Sequence, residues 1–218
     1  QFAGPGFLEN GGQWPAEVHA AAPTGQAECF LTEKGWTIRL YQGDDFERYH
    51  EYFHHPDGEE PLLHGHVLEV ELLGGKLGSA IPLQPLPGLT HLLLGIMSAP
   101  HLQTFQAFQF EEVYPGIHLA WEDQQGQLKY TFKVEAGADP QQIRLLWKGH
   151  NGMHLNEEGQ LWVNSSVGQW MEQTPFVYQE TIEDIQRIEC QYRLSGDTLH
   201  FDLDDYDTAL PLIIDPNV

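Results

Sequence analysis

The feature that most constrains this chain is its punctuation. From Ile117 to Leu203, short apolar and aromatic windows recur between clusters of Gly, Pro, Asn and Asp, with few stretches periodic enough for a helix. Windows of that length, cut by turn formers at that spacing, are strands of a β-sandwich or barrel. The candidates are 117–122, 127–135, 141–147, 161–164, 176–180, 189–194 and 198–203. The turns between them, at 123–126, 136–140, 156–159, 195–197 and 204–207, make neighbouring strands antiparallel. The segment 180–189 lacks a clean capping signal and reads as strand, turn and strand rather than helix.

In the first half, 27–31 and 36–41 flank Glu33-Lys34-Gly35 and read as a hairpin, with further strands at 66–73 and 104–110. Residues 42–64 are polar and His-rich and carry the turn tripeptide Pro56-Asp57-Gly58, so a mobile excursion is expected there. Residues 81–100, rich in Pro and Leu, read as irregular. The expected fold is all-β and mostly antiparallel, in two sandwich-like lobes packed together. The lobes are an N-terminal one over 1–112, carrying the polar excursion at 42–64, and a C-terminal β-sandwich over 113–218.

Charge narrows the partners. Ten Lys and Arg against 32 Asp and Glu give a net charge of −22, which repels nucleic acid and anionic lipid headgroups. The longest apolar stretch, Leu89 to Ala99, is interrupted by His91 and Gly95 and falls well short of the ~20 residues of a membrane helix, so no membrane insertion is expected. Gln1 suits a mature exported product, with a signal peptide removed before it and the chain secreted or held at the cell surface. Cys29 and Cys190 both fall in strand-like segments; one long-range disulfide and two free thiols both fit, since sequence gives no distance.

Five phrases in order are more specific than the strand pattern: 7–14 (FLENGGQW), 113–121 (VYPGIHLAW), 128–145 (LKYTFKVEAGADPQQIRL), 175–180 (PFVYQE) and 206–216 (YDTALPLIIDP). Together they resemble an uncharacterised bacterial domain found at the N-terminus of large secreted proteins. Such proteins continue into SBBP β-propeller or other surface repeats and often end in a gliding-motility-associated or type IX secretion sorting domain. The resemblance covers essentially the whole chain and implies export and a longer intact protein. It departs from the family pattern at His118, where Asp is usual, and at 94–100 (LGIMSAP), where a Gly-Asn-Asp-like turn is usual. It carries no activity over.

Three constellations carry chemistry. Gly58, His64, His66, Glu71 and Gly78 have the G-x5-H-x-H-x4-E-x6-G spacing of a first cupin metal motif, and His64, His66 and Glu71 are the ligand set for a transition metal. The second cupin motif is absent in good form. Asp202, Asp204, Asp205 and Asp207 crowd a turn where Ca²⁺ is the candidate ion, without the turn Gly and terminal Glu of an EF-hand. Trp162 and Trp170 flank a polar hairpin and are the candidate contact surface. Nucleophile-elbow, zincin and phosphate-loop motifs are missing from the sequence. The chain therefore reads as a non-catalytic extracellular module for recognition, adhesion or assembly, needing no cofactor. Its partners would be downstream domains of its own chain and a protein or glycan at the cell surface. A cupin-like metal-dependent enzyme and a carbohydrate-binding module are the alternatives.

Overall fold

A computed structural model describes residues 5–24, 27–54, 61–94, 97–181 and 184–216. The chain runs through β1 (Phe7–Glu9), β2 (Val18–Thr24), β3 (Ala27–Thr32) and β4 (Gly35–Tyr41), then helix α1 (Asp45–His54), β5 (Gly65–Leu72) and a long hairpin of β6 (Ile81–Leu94) and β7 (Met97–Tyr114). It continues with β8 (Ile117–Gln124), β9 (Gln127–Val134), a 3-10 turn at Pro140–Gln142 and β10 (Arg144–Lys148). The short strands β11 (Met153–Leu155), β12 (Leu161–Asn164) and β13 (Gln169–Glu172) follow. The last five are β14 (Phe176–Glu180), β15 (Ile185–Ile188), β16 (Cys190–Ser195), β17 (Thr198–Leu203) and β18 (Leu212–Asp215).

The fold is nearly all β, and its strand pairs are antiparallel. One large sheet follows the path β15-β14-β18-β9-β8-β7-β1-β2-β3-β4-β5-β10-β17-β16, with β6 added to β7; β11, β12 and β13 form a second, small sheet. The large sheet curls into a nearly closed barrel. Its two edge strands, β15 and β16, are consecutive in sequence with Glu189 between them. Trp36 on β4 and Trp121 on β8 have β7, β1, β2 and β3 between them along the sheet, yet their rings lie 5.1 Å apart. Strand β7 makes the bend: Thr104 and Phe105 pair with β1 and Ala107 to Phe110 with β8, both opposite the edge that β6 occupies.

Period-two patterning places the core. In β8 and β9 every second side chain is buried, among them Ile117, Leu119, Trp121, Tyr130 and Phe132. Tyr130 meets Trp36 at 5.0 Å and Trp121 at 5.1 Å, so rings from three strands fill the barrel. Burying one such ring stabilises by up to about 4–6 kcal/mol from its area alone. The Ala-Asp-Pro turn is capped as its residues require: Asp139 accepts the Gln141 amide at 2.9 Å and Pro140 opens the 3-10 turn.

Two expectations are corrected here. Residues 45–54 of the polar excursion are a helix, anchored by Asp45, whose buried carboxylate accepts the His64 amide at 2.6 Å and pairs with Arg48 and His64. The tripeptide Pro56-Asp57-Gly58 lies outside the described residues. The Pro- and Leu-rich stretch is not irregular but strand β6 and the start of β7. Its prolines are tolerated because, among the described residues, β6 pairs with β7 alone. The residues assigned to the two lobes share one sheet and one core: β7 runs across position 112, and β5 pairs with β10.

Candidate functional site

The loop after β1 is built around two amide side chains. Asn10 Oδ1 accepts the Gly12 and Trp14 amides, and its Nδ2 donates to the carbonyls of Trp14, Pro15 and Val18. Gln13, buried, accepts the Gly11 amide at 2.7 Å and donates to the Glu9 carbonyl at 2.6 Å. A Cβ on Gly11 would meet the Leu102 Cδ2 methyl at 2.4 Å and push that side chain aside. The phrase FLENGGQW thus encodes a stapled loop, and its product is the position of Trp14.

Trp14 stands edge-on to Phe30 of β3 at 5.6 Å, and the Arg39 guanidinium of β4 lies 4.7 Å from the same ring. Between this loop and the outer face of β3, β4 and β5 opens a groove of about 620 Å³, within the ~300–1,000 Å³ usual for ligand sites. Register explains its wall: Phe30 faces Thr37, Thr37 faces Glu69, and Glu69 faces Lys148. Along the next row Gly35 opposes Glu71, and a Cβ on Gly35 would sit 2.1 Å from the Val70 carbonyl oxygen, so β5 can lie this close to β4 only at a glycine.

Two of the groove's cations are paired with carboxylates. Lys148 bonds Glu71, which holds the Glu71 carboxyl below its ordinary range and raises the Lys148 ammonium. Arg39 reaches the buried Glu28 at 3.4 Å, and the Tyr41 hydroxyl donates to the same carboxylate at 2.7 Å. Carboxylates of Glu17, Glu33, Glu69 and Glu71 line the groove with the cations of Lys34, Arg39 and Lys148.

A second cluster is sealed inside the barrel. Glu172 of β13 is fully buried; the Tyr130 hydroxyl donates to it at 2.9 Å, and the Tyr192 hydroxyl and Trp170 indole approach at 3.5 Å. Burial pushes its carboxyl up to about 7, against the opposing pull of those donors. Cys29 is fully buried in the same core, and burial, with the nearby Glu172 charge, raises its thiol far above the ordinary range.

The residues singled out from sequence are placed separately. His64 is bound to Asp45, His66 to the Gly149 carbonyl at 2.6 Å and the Ser166 hydroxyl at 2.9 Å, and Glu71 to Lys148. Asp202, Asp204, Asp205 and Asp207 are exposed, and Asp207 caps the Ala209 amide. Trp162 and Trp170 lie on opposite faces of the small sheet, because Trp170 pairs with Val163 and Trp162 with Met171; they form no common surface. Trp170 is buried against Glu172. Cys29 and Cys190 are free thiols, and burial pushes the Cys190 thiol up to about 12.

Among the described residues, metal-ligand side chains converge at Glu112, His118 and Glu135, with ligand atoms within 4.8 Å of one another. His118 Nδ1 accepts the Glu112 amide at 3.2 Å, so in neutral imidazole the proton sits on Nε2, 3.1 Å from the Glu135 carboxylate. Both ring nitrogens are thereby engaged in hydrogen bonds, and the arrangement is that of a strand-to-strand tie.

Residues 7–217 match the family model described as Domain of unknown function (DUF7948). The chain belongs to that family. No curated protein and no solved structure matches it. The match spans both the stapled loop and the sealed glutamate, so the groove and the barrel interior lie within one family domain.

Proposed function

We propose that this DUF7948 domain is a non-catalytic recognition module of a larger exported bacterial surface protein, serving adhesion or assembly, and that the groove under the Asn10–Val18 loop is its contact surface. The observation that carries this reading is the hydrogen-bonded loop that sets Trp14 against Phe30, the ring Arg39 also covers, at the rim of a groove lined by charged side chains. Asn10 and Gln13 fix the backbone that carries the half-buried Trp14 against the barrel, and aromatic anchors beside polar groups are what recognition surfaces spend their structure on. The ordered motifs that resemble the leading domain of secreted repeat proteins support export.

The test is binding by the purified domain to arrays of glycans and of peptides, with wild type beside Trp14→Ala and Arg39→Ala. Any retained ligand is expected to be released by both variants while their melting temperatures stay close to wild type. A ligand held equally well by both variants would move the contact surface elsewhere on the barrel.

A further inference from the structure

We infer that Asn151 is a self-modifying residue, with His150 placed as the base that drives its conversion, through a cyclic imide with Gly152, to aspartate and isoaspartate. The sequence has two Asn-Gly dipeptides, Asn10-Gly11 and Asn151-Gly152. A glycine after asparagine carries no side chain to hinder its amide nitrogen, which can therefore reach the side-chain carbonyl carbon of the asparagine before it. What holds each dipeptide decides whether it does.

The two are held in opposite ways. Asn10 is locked, its Oδ1 accepting the Gly12 and Trp14 amides and its Nδ2 donating to backbone carbonyls, and the Gly11 amide is bound by the neutral side-chain oxygen of Gln13. Asn151 is exposed in the link between β10 and β11, and its side chain makes no hydrogen bond to any described residue. The Gly152 amide donates to His150 Nδ1 at 3.1 Å. An accepting Nδ1 puts the proton of the neutral imidazole on Nε2, which lies 3.2 Å from the Asp197 carboxylate. Carboxylate, imidazole and Gly152 N–H thus follow one another as in the triads that hold a general base on a nucleophile. Gly152 has a φ of +135°, where side chains are rarely accommodated, so the attacking nitrogen stays unhindered.

The step needs no reagent but water. His150 Nδ1 takes the Gly152 proton as the Gly152 nitrogen bonds to Asn151 Cγ. The Cγ–Nδ2 bond then breaks, and Nδ2 leaves as ammonia with the proton that His150 returns. Water opens the imide at either carbonyl, giving aspartate or isoaspartate. Isoaspartate adds a methylene carbon to the main chain between the Asn151 amide and the Gly152 carbonyl, which bond the carbonyl and amide of Asn164 at 2.8 Å each. That pair ties the entry of β11 to the end of β12, so conversion loosens the small sheet there.

The test is timed incubation of the intact purified protein near neutral pH, followed by digestion and mass spectrometry that separates asparagine, aspartate and isoaspartate at each position. Asn151 is expected to convert faster than Asn10 by on the order of tenfold or more, and faster than the same asparagine in a synthetic peptide of residues 146–156. His150→Gln, which keeps a polar side chain but offers no base, is expected to slow Asn151 by on the order of tenfold or more and to leave Asn10 unchanged. Equal rates at Asn10 and Asn151, a peptide that converts as fast as the folded protein, or a variant as fast as wild type would each overturn the assignment. The first two comparisons use the unaltered chain and decide the matter even where the variant does not fold. Hydrogen exchange at the Asn164 amide is expected to quicken in the converted fraction, and unchanged exchange would overturn the loosening of the small sheet.

Discussion

Glu172 shows what one buried residue imposes on the whole. Its carboxyl ionises near 4.5 in an unfolded chain and at about 7 inside the barrel. Because the folded value is the higher one, its contribution to stability is fully present below about pH 4.5 and is lost as pH rises to about 7, after which it is constant. The loss is roughly 3 kcal/mol, a large share of the ~5–15 kcal/mol by which domains are stable. Glu172→Gln keeps the shape and an acceptor for the Tyr130 hydroxyl but cannot ionise. Urea unfolding measured across this window is therefore expected to show wild type falling relative to the glutamine variant. Parallel curves for the two would mean that Glu172 stays ionised in the fold. At the same scale, Trp14 was visible in the sequence only as part of a phrase; its role depends on Phe30 and Arg39, brought beside it by the curl of β2 and β3.

Among elements, α1 is tied to the start of β5 by a buried carboxylate. The His64 amide, first among its partners, holds the Asp45 carboxyl below the ordinary carboxylate range, and Arg48 and the His64 ring add to it. Asp45→Ala is expected to raise amide hydrogen exchange across 45–54 by on the order of tenfold or more while exchange in β8 and β9 stays slow. Equal protection in the variant would show that the helix is held by other contacts. The helix was hidden in the sequence because its apolar residues, Phe46, Tyr49 and Phe53 at i, i+3 and i+7, are diluted by charge and histidine. Strand β6 was hidden for the opposite reason: Pro82, Pro85 and Pro87 argue against a strand unless one knows that it sits on an edge. By contrast β3, β4, β8, β9, β12, β14, β16 and β17 were legible, since each alternates or runs apolar between turn formers. The pairing of Trp162 and Trp170 failed because adjacency in a hairpin does not put side chains on one face; register does.

At the scale of the molecule, local patterning gives strands but not their order, and the order decides whether the chain has one folding unit or two. Strand β7 is paired with β1 on the amino-terminal side and β8 on the carboxy-terminal side of position 112, and β4 and β5 of the first half are continued by β10 and β17 of the second. Trp36 from the first half packs directly on Trp121 and Tyr130 from the second. Fragments 1–112 and 113–218 would each lose barrel neighbours along both of these seams and expose those rings to water. Expressed separately, each is expected to lose the near-ultraviolet circular dichroism of packed aromatics and to bind the dye ANS, the signs of secondary structure without fixed packing. Mixed, the two are expected to recover the intact spectrum, because the sheet pairs and ring contacts that close the barrel are non-covalent. A fragment that alone kept a sharp, cooperative melt would show that half of the barrel can satisfy its own core, and that the seams at β7 and β5–β10 join two finished units.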